Sequence, residues 1–463
     1  MTKKKSGNKN KASTPATPVE SKSSSSAASS SVDVFEGAIG IDFGNHNCTV
    51  SYFNLQHLLS AFPNLSSSAA SGSAKKPSYL STVVQPIQSQ DSHVVIIQNE
   101  DGAHHTPSVI KVNTIVEGTD ENGDDIEKQE IIVGFPPLPG ATIGADQVVS
   151  DLKEFILEAE EKNNCDELIN FNGEQYSQDH MVSLLLGKMK QIAEHYLGKT
   201  VKRAVVSCPS NSPHCEQVIR KACEKLNLQV LAVLKEPLAA LIGYGLDIPK
   251  PNEGKKNVCV IDVGALETNI SVVKVSEQGL FEMIKSESKR PLGGESIDQI
   301  LIQLCLTEFK RLYFKSMPES AFQQEVGKNR KVQSKLRSSC ENAKIVLSNS
   351  GQGMIEIDSL YDGMDFQFKI TRARYESSVM SIFGGIIEHA RQTVNSLSEQ
   401  GISVANIDNV ILVGGSCQIP KLKEFIQQLF PQAKIFDNAV EDSIAIGCAI
   451  QAHLLNTYMH LVK

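Results

Sequence analysis

The sequence has no long apolar run. No stretch of its 463 residues approaches the roughly 20 apolar residues that a membrane-spanning helix requires. The N-terminus is basic, but Ser, Ala and Thr follow it without an apolar core, which is not the pattern of a secretory signal. The ten cysteines form no CxxC pair and no Cys/His cluster with metal-ligand spacing. These absences exclude membrane-embedded proteins and proteins held together by a structural zinc site.

Four of the cysteines lie among apolar residues: Cys48, Cys208, Cys259 and Cys448. We expect them to be buried free thiols, because unpaired cysteine packs like a small apolar side chain. Free thiols suit a reducing compartment, the cytosol or the nucleus. We therefore predict a cytoplasmic protein without a membrane partner.

Charge is distributed unevenly along the chain. The net charge of −8 argues against broad nucleic-acid binding, although residues 1–32 contain six lysines and one glutamate. This Ser/Lys-rich segment lacks periodicity, so we predict a disordered basic tail over residues 1–34. A low-complexity patch at 66–73 indicates a loop insertion within about residues 54–92. Each segment is either a tether to a partner or a solvated, tolerated extension.

Two short stretches of the chain share one pattern. In 40–45 (GIDFGN) and 260–265 (VIDVGA), an apolar run ends in an aspartate, Asp42 or Asp262, and a glycine follows two residues later. A buried strand followed by an acid and a tight turn places backbone N–H groups and a carboxylate at one strand end. That arrangement suits a phosphate with its magnesium ion. The repeat predicts two related half-domains that face each other across a nucleotide cleft.

Strands and helices alternate along the remaining sequence. Period-two or continuous apolar runs predict strands at 94–97, 204–207, 230–234 and 410–413, and a hairpin over 115–133 that turns at Asn122-Gly123. Helical periodicity predicts helices over 177–198, 215–226 and after Glu236-Pro237. In the first of these, Met181, Leu185, Met189, Ile192 and Tyr196 form one stripe. The alternation predicts an α/β fold with layered sheets.

At this point the motifs resemble the nucleotide-binding domain of the 70-kDa heat-shock protein family. The similarity runs from about Gly37 to Gln451, and its most specific stretches are 188–201, 236–240, 292–295, 357–361, 370–374, 413–416 and 419–421. The resemblance implies the actin-like ATPase (ribonuclease-H-like) fold, with two lobes around a nucleotide cleft. Lobe I would comprise residues 35–250 and 436–463, and lobe II residues 251–435.

The resemblance also implies a site for ATP or ADP with Mg²⁺. Asp42 and Asp262 would face the metal through its waters, Lys153 would contact phosphate, and Glu236 would orient the attacking water. From the residues alone, Glu341 and Lys344 would be a plain surface pair on a helix. The full set of expected nucleotide-binding residues is Asp42, Gly44, Asn45, His46, Asn47, Lys153, Asp262, Gly264, Gly294, Glu295, Glu341, Lys344, Ser348, Gly414, Gly415, Ser416 and Gln418.

The phosphate loops depart from the family pattern. Glu267 replaces the threonine that helps to hold the terminal phosphate, and Asn269 replaces a metal-side aspartate. A carboxylate about 4 Å from a phosphate charge is unfavourable by roughly 4 kcal/mol at an effective dielectric constant near 20, unless its side chain turns away. Asn45 and His46 replace two threonines of the first loop, and we expect His46 to be a hydrogen-bonding loop residue rather than a base.

The adenine pocket departs as well, because Ile345 and Gln418 stand where the family has two arginines. Neither residue supplies a cation for the base to stack on. We therefore expect weak or structural nucleotide binding with little or no hydrolysis, that is, a pseudo-ATPase. The sequence ends soon after the resemblance does, so we also expect no substrate-binding domain and no grip on unfolded peptides.

These features favour a divergent co-chaperone. The chain resembles the atypical heat-shock-70 subunit of the ribosome-associated complex, which implies a J-domain partner, the ribosome with its nascent chains, and a conventional heat-shock-70 chaperone. The basic tail would contact RNA only electrostatically, without a specific nucleic-acid site. Two alternatives remain: a nucleotide exchange factor, favoured by the Asn45 pattern, and a working ATPase or small-molecule kinase, favoured by the retained Asp42, Lys153, Glu236 and Asp262.

Overall fold

The computed structural model describes residues 33–56, 93–119, 125–135, 147–248 and 254–462. The predicted basic tail and the loop insertion lie almost wholly outside these ranges, as does the predicted hairpin turn at Asn122-Gly123. Val34 forms a parallel β-bridge with Thr200, so at least one residue of the predicted tail pairs with the folded chain.

The described residues form eighteen strands and eleven α-helices. The strands are β1 (Ile39–Phe43), β2 (Asn47–Phe53), β3 (Val94–Ile96), β4 (Thr106–Pro107), β5 (Ile110–Thr119), β6 (Asp125–Val133), β7 (Val148–Val149), β8 (Ile169–Phe171), β9 (Glu174–Tyr176), β10 (Arg203–Cys208), β11 (Gln229–Lys235), β12 (Lys256–Val263), β13 (Thr268–Val275), β14 (Phe281–Lys289), β15 (Gln352–Tyr361), β16 (Met364–Thr371), β17 (Asn409–Val413) and β18 (Lys434–Phe436). The helices are α1 (Leu152–Glu161), α2 (Gln178–Leu197), α3 (Pro213–Lys225), α4 (Glu236–Gly243), α5 (Gly294–Tyr313), α6 (Glu319–Phe322), α7 (Arg330–Asn349), α8 (Arg372–Ser378), α9 (Met380–Asn395), α10 (Pro420–Leu429) and α11 (Ser443–Val462).

Two sheets with the same topology form the centre of the fold. In the first sheet, β1 pairs in parallel with β10, β10 pairs in parallel with β11, and β2 and β3 follow antiparallel on the other side. In the second sheet, β12 pairs in parallel with β17, β17 pairs in parallel with β18, and β13 and β14 follow antiparallel. We call the parts of the chain built on these sheets the first and second halves.

The registers of the two central hairpins also match. Asp42 pairs with Thr49 across β1 and β2, and Asp262 pairs with Asn269 across β12 and β13. The connections between them therefore have the same length, residues 44–47 (the first loop) and 264–267 (the second loop). Each loop begins where a buried central strand ends, so the two acids occupy equivalent positions.

Each half has its own apolar core. The first half packs α2 and α3 against β1 and β10, and the second half packs α5, α7 and α9 against β12 and β13. A further buried cluster joins the two sheets through α4 and α11. These two helices touch at glycines, because a Cβ at Gly447 would lie 1.9 Å from the Ala239 carbonyl oxygen. The two sheets are thereby held around a common cleft.

Most of the predicted elements are confirmed. Strands β3, β10, β11 and β17 and helices α2, α3 and α4 coincide with the predicted ones within a few residues, and β5 pairs antiparallel with β6. Gly198 ends α2 in the left-handed region, at φ 63°, where glycine has no steric penalty. The placement of Tyr196 on the buried stripe of α2 is wrong, because its side chain is 52% exposed and lies beside Tyr52.

All ten cysteines are free thiols, and all except Cys165 are buried, as the sequence predicted for Cys48, Cys208, Cys259 and Cys448. Within the described ranges no helix is both long enough and apolar enough to cross a membrane.

Candidate functional site

A cavity of about 390 Å³ lies between the two sheets at the ends of β1 and β12. This volume is within the range of small-molecule sites in proteins. Both loops contribute to its wall, together with α1, the N-terminal turn of α5, α7 and the turn after β17. Every residue that the sequence assigned to nucleotide binding lines this one cavity, as do Glu236, Glu267, Asn269 and Ile345.

Asp42 and Asp262 face this cavity from the two halves. Asp42 accepts a 2.7 Å hydrogen bond from the Ser207 hydroxyl. Burial, followed by the charge of Glu236, raises the pKa of Asp42 to about 6 and that of Asp262 to about 8. Such shifts mean that the ionised carboxylates lack sufficient positive charge nearby. Asp262 therefore has the larger deficit, which a divalent cation would relieve.

Lys153 and Glu236 form a buried ion pair at the floor of the cavity. Their residues are 9% and 5% exposed. Burial lowers the pKa of Lys153, but the charge and hydrogen bond of Glu236 and the charge of Asp42 outweigh it, so the net shift is upward. Lys153 is therefore a permanent cation amid three acids, Asp42, Glu236 and Asp262.

The first loop carries neutral polar side chains that are held by hydrogen bonds. The Asn45 side-chain oxygen accepts a 3.1 Å hydrogen bond from the Glu154 backbone N–H at the start of α1. The Gly44 carbonyl oxygen accepts a 2.8 Å bond from the Ser108 hydroxyl. A Cβ at Gly44 would lie 2.1 Å from the Asn47 carbonyl oxygen, so only glycine fits this turn. The first loop therefore adds no charge of its own beside Asp42, apart from His46.

The second loop carries a carboxylate. Glu267 Oε2 lies 3.0 Å from Arg290 Nε, and Glu267 Oε1 accepts a 2.9 Å hydrogen bond from the Asn269 side-chain amide. The Glu267 side chain is only 14% exposed. Asn269, the other degenerate position, in turn accepts a hydrogen bond from the Ser288 hydroxyl. The two departures from the family pattern are thus coupled, and Arg290 offsets the charge that Glu267 introduces.

Arg290 also reaches across to the first half. Its guanidinium lies 2.7 Å from Glu161 and 3.9 Å from Glu154, both on α1. Sequence reasoning missed Arg290, because it stands alone after β14 and belongs to no motif. The one sequence signal that could have pointed to Arg290 is that a buried Glu267 requires a nearby cation.

The other end of the cavity contains several polar contacts. Lys344 on α7 donates a 2.7 Å hydrogen bond to Asp298 on α5, and His46 lies 3.3 Å from Glu341. Glu341 and Lys344 therefore each pair with a different element, and the interpretation as a plain helix-surface pair is wrong. The hydrogen bond that His46 donates to Glu341 raises the pKa of His46 and lowers that of Glu341.

His46 does have an acid partner, which the sequence did not reveal, because Glu341 lies far away along the chain. The contact joins the first loop to α7 of the second half. Both side chains remain partly exposed, at 49% and 38%, so the pair is a solvent-screened bridge across the mouth of the cavity. No buried base results from it.

Neither of the two positions predicted to flank the adenine base carries a cation. Ile345 is 57% exposed, and the Gln418 side-chain amide donates a 2.8 Å hydrogen bond to Glu441. An arginine at either position would supply both charge and a flat stacking surface. The structure therefore presents one apolar and one neutral polar side chain there.

The cavity fits a magnesium nucleotide in shape and in part in charge. Asp298 Oδ1 is buried and accepts no hydrogen bond from any described residue, which leaves an acceptor for a ligand hydroxyl. A Cβ at Gly294 would lie 2.9 Å from the Ser416 hydroxyl and 3.3 Å from Lys344 Nζ, so glycine keeps this wall open. The described residues contain no cluster of three or more His, Cys, Asp or Glu side chains that would hold a metal directly. Metal held through water by Asp42 and Asp262 remains the prediction.

Comparison with known proteins gives one consistent family. The family described as "Hsp70 protein" matches residues 82–462 of the chain. The chain is 32% identical over 379 residues to "Heat shock cognate 70 kDa protein 3" of Dictyostelium discoideum, covering 79% of this chain and 58% of that protein. It is 28% identical over 435 residues to a heat shock protein of Pyricularia oryzae, covering 92% of this chain and 62% of that protein. The chain thus spans a little over half the length of these relatives.

Proposed function

This chain belongs to the Hsp70 family, and on that premise we propose that it is a divergent co-chaperone whose cleft holds a magnesium nucleotide with little or no hydrolysis. In this proposal the chain acts in the cytoplasm. It pairs with a J-domain protein at the ribosome and assists a conventional Hsp70 chaperone with nascent chains.

One observation carries the proposal: the expected nucleotide-binding residues line one cavity, and its second loop carries a carboxylate. Asp42, Lys153, Glu236 and Asp262 all line this cavity, which favours continued nucleotide binding. At the same time the carboxylate of Glu267 stands in the second loop and is bound to Arg290. A retained pocket with an altered phosphate end favours a structural ligand over a turned-over substrate.

The residues divide the work of holding a nucleotide. Asp42 and Asp262 would hold Mg²⁺ through its waters. Lys153, which is ion-paired with Glu236, would contact a phosphate. Asp298, Glu341, Lys344 and Ser348 would contact the nucleoside. A nucleotide that binds the folded state stabilises it in proportion to its occupancy, and here it would join the two halves. Ile345 and Gln418 predict that the base adds little affinity.

The proposed partners are inferred from the family resemblance and not from the residues of the cleft. The chain covers 58% and 62% of two heat-shock relatives, so activities of the whole relatives come to this chain only as proposals. The basic segment of residues 1–32 supports attraction to the phosphates of ribosomal RNA, a salt-sensitive and sequence-independent interaction.

A residual ATPase is the second candidate, and one observation favours it. The buried Lys153–Glu236 pair lies beside both metal-side acids, so the groups that would position a water and a phosphate are present. An exchange factor for a conventional Hsp70 remains an alternative that the cleft does not address.

The test is a gentle, low-salt affinity purification from native cells, with the co-purifying proteins identified and quantified by mass spectrometry. The proposal predicts a stoichiometric J-domain protein together with ribosomal proteins. Recovery of a conventional Hsp70 without ribosomes would favour the exchange-factor alternative. Recovery of neither a J-domain protein nor ribosomes would contradict the proposal.

A further inference from the structure

Glu267 occupies the position at which the two loops differ most. By strand register it is the counterpart of Asn47 in the first loop. Both residues line the cavity, but only Glu267 brings a negative charge. It follows Gly264 by three residues and lies at the same end of the cavity as Asp262, Lys153 and Glu236. This is the phosphate end of the proposed nucleotide site.

The Glu267 carboxylate is fixed in place. One oxygen contacts Arg290 at 3.0 Å, and the other accepts the 2.9 Å hydrogen bond from Asn269. The backbone of the loop is pinned too, since the N–H groups of Gly294 and Glu295 donate to the carbonyl oxygens of Gly264 and Ala265 at 2.9 and 2.8 Å. Glu267 therefore cannot turn away from the cavity without losing both side-chain partners.

The charge of Glu267 is felt by the groups that would meet a phosphate. Burial, Glu236 and Asp42 raise the pKa of Asp262 most, and Glu267 adds a smaller rise. Burial lowers the pKa of Lys153, Glu236 and Asp42 raise it, and Glu267 again adds a smaller rise. A cation and an acid from different elements thus respond to the same carboxylate. Glu267 is close enough to repel a further anion at this end of the site.

Arg290 offsets that repulsion only in part. Its guanidinium already contacts Glu267, Glu161 and Glu154, so one cation faces three carboxylates. Arg290 also forms part of the wall between this cavity and a second one of about 380 Å³. Movement of Arg290 towards a third phosphate would leave Glu267 buried beside that phosphate without a counter-ion.

From these contacts we infer that Glu267 is a built-in anion in the place of the terminal phosphate, so that the site selects a nucleoside diphosphate over a nucleoside triphosphate. The inference rests on the proposed function, because it requires a nucleotide in the cavity. Arg290 then bridges α1 and the second loop whether or not a third phosphate is present.

The experiment compares the affinities of the full chain for Mg-ADP, Mg-ATP and the non-hydrolysable Mg-AMP-PNP by isothermal titration calorimetry. We expect the wild-type protein to bind ADP at least about tenfold more tightly than either triphosphate. Glu267→Gln keeps the shape and removes the charge, and we expect it to reduce this ratio at least about fivefold. Glu267→Thr serves as the second variant if the amide disturbs folding, which thermal unfolding will report.

Glu161→Gln is the matched control, because it removes a carboxylate from the same arginine at its exposed end, where the side chain is 65% exposed. Its ADP-to-ATP ratio should equal that of the wild type. Equal affinities for ADP and ATP in the wild type, or an unchanged ratio in Glu267→Gln, would overturn the inference while leaving nucleotide binding intact. Failure of the wild type to bind any of the three would remove the nucleotide from the proposed function and the inference with it.

Discussion

The first and second loops have the same length and the same strand register, but they differ in the charge of their side chains. Each connects an acid-bearing central strand to an antiparallel partner in the same register. The first loop has neutral Asn45 and Asn47 beside Asp42, whereas the second places Glu267 beside Asp262. Burial and then Glu236 raise the pKa of both acids, to about 6 for Asp42, whose pKa the hydrogen bond from Ser207 lowers, and to about 8 for Asp262, to which Glu267 adds a smaller rise.

The comparison teaches that topology and charge have changed independently in this cleft. The sheets, the loop lengths and the acids are duplicated, but the ion pairs of the two loops differ: His46 of the first loop meets Glu341 in a partly exposed pair, whereas Glu267 of the second loop is mostly buried beside Arg290. Arg290 in turn links Glu267 to Glu161 of the other half. The second loop thus contributes an ionic bridge between the two halves.

The largest expected effect comes from breaking the Lys153–Glu236 ion pair, which lies beside the acids of both loops. Lys153→Met leaves Glu236 buried without its cation beside Asp42 and Asp262, and removing one partner of a buried pair costs about 3 kcal/mol. Urea unfolding will measure this loss. Lys153→Met/Glu236→Gln should recover most of it. Lys162→Ala, which removes an exposed lysine paired with Glu158, should leave stability nearly unchanged.

A smaller effect should come from breaking the ion pair between Glu267 of the second loop and Arg290. Arg290→Ala removes the counter-ion of Glu267, which is 14% exposed, and should cost about 2 kcal/mol in urea unfolding. The double variant Arg290→Ala/Glu267→Gln should be more stable than Arg290→Ala. Arg311→Ala, whose partner Glu308 lies on the surface, is the control. Equal losses for the two arginines would contradict the assigned role of Arg290.

The smallest effect is the difference in pH dependence between the two acids. A carboxyl whose pKa is raised by folding contributes stability that is present below its unfolded value near 4 and is lost as the pH rises through its folded value. For Asp42 the loss should be complete by about pH 6, and for Asp262 it should continue to about pH 8.

Asp262→Asn should therefore lose less stability than the wild type as the pH rises from 6 to 8 in nucleotide- and metal-free protein. Asp42→Asn should lose as much as the wild type in that window. Urea unfolding at a series of pH values across it measures both. Parallel profiles for the two variants would contradict the higher pKa assigned to Asp262.

Much of this architecture was predictable from short-range patterns. The two strand-acid-glycine stretches predicted the paired half-domains, and the duplicated sheets around one cleft bear out the α/β, actin-like fold of the Hsp70 family. The predicted site residues line one cavity, but only the two acids and their glycine turns came from the sequence pattern, and the others were implied by the family resemblance. Their roles towards a nucleotide remain predictions.

What the sequence could not reveal depends on long-range pairing. Arg290 meets Glu161 from 129 residues away, and no periodicity or motif links them. The cost predicted for Glu267 assumed an uncompensated carboxylate, and Arg290 alters that assumption. Tyr196 was misplaced for a related reason, since helical periodicity identifies a stripe but not where the packed surface ends.

The most direct test of the central claim is phosphate release from Mg-ATP by the wild-type chain, measured against Lys153→Met/Glu236→Gln. The account holds that the cleft binds nucleotide without turning it over, because Glu267 stands where the terminal phosphate would be stabilised. It predicts equal, background rates for the two proteins. Magnesium-dependent release by the wild type above that double variant would contradict it.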